Sequence, residues 1–234
     1  MVRRGGDNGR AGGTGSDLTR ARILDATLQC IRDAGIVGAS ARAIARTGGF
    51  NQASIYYHFG SINDAVLAAV RELGDERAGR YRDRLSGVSS LAELVRVAVE
   101  LHREDVESGT LRVMAQVMAG AAADEPFGEA LGDLFDPWLD VVVEALEQFA
   151  GPGGALAPLR QVLPLGELGY AISALFVGVE TMRALRSQDR RAGDLFGTFE
   201  RLGGMVEVLL PLVTAGAGAG AALPGPAPAP WAGD

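Results

Sequence analysis

The chain has 234 residues, enough for one domain or two small ones with a substantial core, and 47% of them are apolar. A single cysteine excludes an intramolecular disulfide, and two scattered histidines leave no metal-ligand spacing. The net charge of −7 argues against a polyanionic partner for the chain as a whole, but it is unevenly spread: residues 1–60 hold 8 Arg and 4 Asp, net +4, and residues 61–234 hold 14 Arg and 25 acids, net −11.

Residues 1–16 are Gly-rich and polar and read as a flexible arm, whose Arg3, Arg4 and Arg10 suit a minor groove or simply a leader without contacts. A first helix spans about Leu18 to Ala34, with Ile23, Leu24, Leu28 and Ile31 as its buried stripe and Gly35 closing it. Cys30 lies on that apolar side, which predicts a buried thiol. Ser40 can cap a second helix, Ala41 to Thr47, with Ile44 and Ala45 inward. Gly48-Gly49 stops it, because glycine takes the left-handed backbone of a C-cap. Phe50 plugs the turn and Asn51 caps a third helix whose first turn is Gln52, Ala53 and Ser54. Ile55 and Phe59, four apart, pack inward together. Tyr56, Tyr57 and His58 cannot all point inward on a helix, so part of that cluster lies at the surface.

A longer helix follows from about Asn63 to Leu85, capped by Ser61 or Asn63, apolar at its start and charged at its end through Glu72, Asp75, Glu76, Arg77, Arg80, Arg82 and Arg84. Ser90 can cap a helix from Leu91 to about Glu107, and residues 110–123 form a short, nearly all-apolar helix. Residues 127–149 read as a long amphipathic helix that Asp136-Pro137 kinks or restarts. After a Gly/Pro loop at 151–158 come two last helices, about Leu165 to Arg186 and Ala192 to Val213. Residues 214–234 are low in complexity and read as a disordered tail.

Two short helices around a tight turn, the second opening on small polar residues, match the pattern of a helix-turn-helix DNA reader; an ordinary helical hairpin is the plainer alternative. In such a reader Gln52 can bond one adenine edge, Ala53 can meet a thymine methyl, and Tyr56, Tyr57 and His58 offer polar tips to phosphates. Arg22-Ile23-Leu24-Asp25-Ala26, Gly35, Ile44-Ala45, the Gly48 to Asn51 turn, Tyr56-Tyr57-His58-Phe59 and Ser61 carry a closer likeness. From Thr19 to about Val70 the chain resembles the TetR family of bacterial transcriptional regulators. The family's usual lysine after that serine is Ile62 here, which removes one expected phosphate contact.

The resemblance implies an all-α fold: an N-terminal three-helix helix-turn-helix unit at 17–62 and a C-terminal helical ligand-binding and dimerisation domain at 63–213. DNA-binding candidates are Ser40, Arg42, Asn51, Gln52, Ala53, Ser54, Tyr56, Tyr57, His58 and Ser61. The last two helices are expected to form a homodimer interface, completion of a monomeric core being the alternative. Candidates for a pocket holding a small apolar effector are Met114, Met118, Phe127, Phe135 and Trp138, with His102, Arg112, Gln116 and Glu180 as polar anchors; ordinary core or surface packing is the plainer reading of each.

There is no phosphate loop, nucleophile elbow or metal set, so no enzyme and no cofactor is expected. No signal peptide or uncharged run of about 18 apolar residues is visible, which predicts a cytoplasmic protein without a membrane partner. The expected function is a ligand-responsive regulator, most simply a repressor reading an inverted-repeat DNA operator as a dimer. The alternative is a helical small-molecule-binding or interaction module without working DNA readout.

Overall fold

The computed structural model describes residues 11–121, 124–157, 160, 164–185, 195, 197–199, 201–205 and 209. The start of the expected arm with Arg3, Arg4 and Arg10, and the tail at 214–234, lie outside the described residues. Among the described residues the elements are helices, as expected: α1 (Ala11–Gly38), α2 (Ala41–Gly48), α3 (Gln52–Phe59), α4 (Ile62–Leu85), α5 (Leu91–Glu107), α6 (Thr110–Ala121), α7 (Glu125–Gly132), α8 (Asp136–Glu147) and α9 (Leu165–Leu185). Residues 195, 197–199, 201–205 and 209 are also helical. The chain divides into two compact units, residues 1–74 with 109–134, and residues 75–108 with 135–234.

In the first unit, α1 begins at Ala11, earlier than the Leu18 start read from the sequence, and its regular geometry breaks at Gly35 (φ 73°, ψ 170°). Ile23, Leu24, Ile31, Ile44, Ile55, Val66, Val70, Val113 and Val117 are all fully buried. Burying such side chains is worth roughly 1.5–3 kcal/mol each. Residues 109–134 belong to this unit because α6 packs along α1: Gly120 sits against Ile36 and Gly109 against Arg32. Cys30 is buried as expected, and burial pushes its thiol above the ordinary range.

In the second unit, Tyr81, Leu85, Leu91, Leu94, Val97, Leu101, Val141, Ala145, Leu146 and Leu165 form the core. Its α5 runs from Leu91 to Glu107, the predicted bounds, because Ser90 Oγ accepts the Glu93 N–H at 3.1 Å. The Asp136-Pro137 pair restarts rather than kinks: α8 opens at Asp136, where proline's missing N–H needs no partner. Gly169 of α9 approaches α8 closely, and a Cβ there would lie 2.9 Å from Val143 Cγ2. The stretch Leu165–Met182 of α9 is long and apolar enough to cross a membrane by length and composition, with mean hydropathy 1.2, although it includes Glu167 and Glu180.

Candidate nucleic-acid interface

The α2–turn–α3 segment is built by local hydrogen bonds that the sequence supplies at each boundary. Ser40 Oγ accepts from the Ala43 N–H at 3.3 Å and starts α2. Gly49, with φ 66° and ψ 40°, ends it in the left-handed conformation, and its N–H returns to the Ala45 carbonyl. Gly48 is required for space: a Cβ there would lie 2.1 Å from Phe50 Cε1 and 2.9 Å from Ala26 Cβ. Phe50 thus folds back over the turn against α1. Asn51 Oδ1 then accepts the Ala53 N–H at 2.9 Å and opens α3.

This framework orients α3 by burial. Ile55 is fully buried, while Tyr56 and Tyr57 are 49% and 84% exposed. Phe59 is half-buried, with the Arg20 guanidinium 5.2 Å from its ring centroid. Asn51, Gln52 and Ala53 are exposed, Ser54 and His58 half-buried. The Tyr57 and His58 rings meet edge to face at 5.1 Å. An open cleft of about 830 Å³ is lined by Arg42, Ala45, Arg46, Gly49, Phe50, Asn51 and Gln52. Two exposed guanidiniums, Arg42 and Arg46, thus share a cleft with the first residues of α3, the arrangement a polyanion requires. Arg46 was not singled out from sequence; its position four residues after Arg42 is the signal that places both on one helix face.

Three candidates have structural duties as well. Ser40 and Asn51 spend one oxygen each on a helix cap. Ser61 Oγ accepts the Asp64 N–H at 3.0 Å and donates to Asp64 Oδ2 at 2.6 Å. It therefore caps α4, and a carboxylate stands beside it. Ile62 is half-buried.

The candidate effector residues fall in both units. In the first, Phe127 is buried in the core, Met114 and Met118 are half-buried on α6, and the Gln116 amide packs against Gly35. In the second, buried His102 meets Glu180 through Nε2 at 3.1 Å and the Phe176 ring at 4.9 Å. Half-buried Trp138 stands edge-on to Tyr81 at 4.6 Å, and Phe135 is half-buried one turn before it. Sequence reasoning missed the polar cluster beside Trp138. Asp105, fully buried, accepts hydrogen bonds from Arg77, Arg80 and the Tyr81 hydroxyl. Burial pushes the Tyr81 phenol far above its ordinary value, so it stays a donor.

A capped α2, a glycine turn and an exposed polar α3 face over a buried Ile55 define a helix-turn-helix DNA-binding protein. Residues 23–69 match the model of "Bacterial regulatory proteins, tetR family", so this segment is similar to the DNA-binding unit of that family. It is similar to an uncharacterized HTH-type transcriptional regulator of Mycobacterium tuberculosis, with 22% identity over 133 residues, 57% of this chain and 68% of that protein. Its fold is similar to that of the transcriptional regulator FadR from Bacillus subtilis in complex with stearoyl-CoA, with TM-score 0.61 and 14% identity, covering 78% of this chain and 96% of that one. It is similar also to a protein from Saccharomonospora viridis in complex with choline, with TM-score 0.61 and 21% identity, covering 79% and 95%.

Proposed function

We propose that this regulator is a repressor that binds an inverted-repeat operator as a homodimer in the cytoplasm and is released or engaged by a small-molecule effector. The observation that carries the DNA reading is the α3 surface: Gln52, Ala53, Tyr56 and Tyr57 exposed on a helix whose roll is fixed by buried Ile55 and whose start is fixed by Asn51. Gln52 reads an adenine edge, Ala53 a thymine methyl, and the tyrosine hydroxyls with Arg42 and Ser54 hold phosphates.

One such unit makes few base contacts, and two-fold pairing is the usual remedy. Tyr170, Leu175 and Met182 on α9, and Leu202, Met205 and Leu209 beyond it, are exposed apolar residues that support self-association. The fold neighbours hold ligands as different as stearoyl-CoA and choline, so the fold alone does not choose an effector. We place the effector in the second unit, beside Phe135, Trp138, His102 and Glu180. Its binding shifts the population between a DNA-competent and an incompetent geometry.

The test is selection of sites from random double-stranded DNA by the purified chain. An enriched inverted repeat is expected, with binding that weakens steeply as salt rises. A second reading, a helical interaction module without DNA readout, draws on the Ser61–Asp64 pair and on Ile62, which put a carboxylate and an apolar side chain at the start of α4. Folded protein that enriches no sequence, alone or with ligand, would favour it.

A further inference from the structure

We infer that Arg77 and Arg80 form the anchor for an oxyanion, a carboxylate or phosphate carried by the small molecule that the second unit binds. The inference rests on the ligand-responsive reading above and gives that ligand a chemical class. The cluster is unbalanced: two guanidiniums converge on one carboxylate, Asp105, which is fully buried. Arg77 engages it through Nε and Arg80 through Nη2. The third donor, Tyr81, is neutral and gives its hydroxyl at 2.9 Å. The nearby carboxylates of Glu144, Glu100 and Glu104 pair with Arg82 and Arg84, and Glu180 with His102. Within the cluster itself two guanidiniums thus face one carboxylate, an excess of positive charge on a partly buried surface where a second anion is welcome.

The two arginines differ in freedom. Arg77 is 8% exposed and its guanidinium lies 3.5 Å from the Trp138 ring centroid and 4.8 Å from that of Tyr81, so its plane is fixed. Arg80 keeps 37% of its side chain exposed, yet its Nε is buried with no hydrogen-bond partner among the described residues. A guanidinium offers a planar fork that fits carboxylate and phosphate oxygens in pairs, and here the fork is half used. The oxyanion binds on the Arg80 side of the Arg77–Trp138 stack, with the apolar part of the molecule along Trp138 and its hydrophobic neighbours. The competing account is a purely structural triad whose excess charge is met by solvent.

The experiment uses the full chain carrying Trp231→Phe, which leaves Trp138 as the sole tryptophan of the two. Its fluorescence is titrated with octanoate, octyl phosphate and 1-octanol. At least one of the two anions is expected to change the emission saturably, about tenfold or more tighter than octanol, and the better of the two identifies the head group. Arg80→Gln leaves Asp105 paired with Arg77 and Tyr81, and should weaken the anion about tenfold while leaving octanol unchanged. Arg80→Lys keeps the charge without the fork, and should fall between them; it also serves if Arg80→Gln fails to fold. Octanol binding as tightly as both anions, neither anion binding, or an Arg80 variant that binds like its parent would overturn the oxyanion site. A parallel assay measures DNA affinity with and without the bound anion. Saturable anion binding that leaves DNA affinity unchanged would sink the ligand-responsive reading and keep the site.

Discussion

Arg22 and Gly48 lie 26 residues apart in the chain, and Arg22 Nη2 donates to the Gly48 carbonyl oxygen at 2.9 Å. The bond ties α1 to the C-terminal end of α2, where a carbonyl has no partner inside the helix and the dipole favours a cation. Arg22→Ala should lower stability by about 1 kcal/mol, read as a shift in thermal midpoint. DNA binding should weaken equally for every sequence, because the turn loosens while the base-reading residues stay. A change in base preference would mean instead that Arg22 touches DNA itself.

Replacing Gln52 by Ala separates base reading from phosphate holding. A discrimination loss of about 1–3 kcal/mol at one base pair is expected in a binding-site selection. Tyr57→Phe, at a side chain 84% exposed, should weaken all sites alike and leave the selected sequence intact. A Gln52→Ala protein that selects the same sequence with the same stringency removes Gln52 from the readers.

The proposed dimer depends on an apolar surface that a charge would spoil. Met182 is 68% exposed and Met205 53% exposed. Glutamate at both positions should give a monomer in sedimentation equilibrium, with the helical circular dichroism signal kept and operator affinity lost. A double variant that remains dimeric moves the interface elsewhere.

Acid should weaken the start of α5 through Glu93. Its carboxylate accepts the Ser89 backbone N–H and the Ser89 hydroxyl, both at 2.9 Å, and these bonds hold it below the usual glutamate range. A carboxyl with a lowered folded-state value contributes stability above its unfolded value and loses it as the pH falls through the folded one. Wild type should therefore melt above Glu93→Gln at about pH 7, and the gap should close toward about pH 3. A gap that persists in acid would assign the effect to shape rather than charge.

Local signals carried much of the fold. Ser40, Gly49, Asn51 and Ser90 mark helix ends by chemistry that acts over a few residues, so the boundaries of α2, α3 and α5 could be read directly. Pro137 left two outcomes open, and the structure chose a fresh helix. Arg77 and Arg80 read as the charged, solvated end of α4. Asp105, 28 residues after Arg77, was an unremarked acid among several. Nothing in either segment announces the other, because an ion pair between helices leaves no periodicity.

By itself the sequence determined the all-α class, the helix-turn-helix and its face, since capping, glycine conformation and the burial of Ile55 depend on neighbours in the chain. Tertiary structure alone decided that residues 109–134 join the N-terminal unit, that Gln116 packs on Gly35, that His102 meets Glu180 across 78 positions, and that two arginines share one buried carboxylate. Those outcomes follow from which helix faces exclude water together, and a buried charge declares its partner only once both have left the solvent.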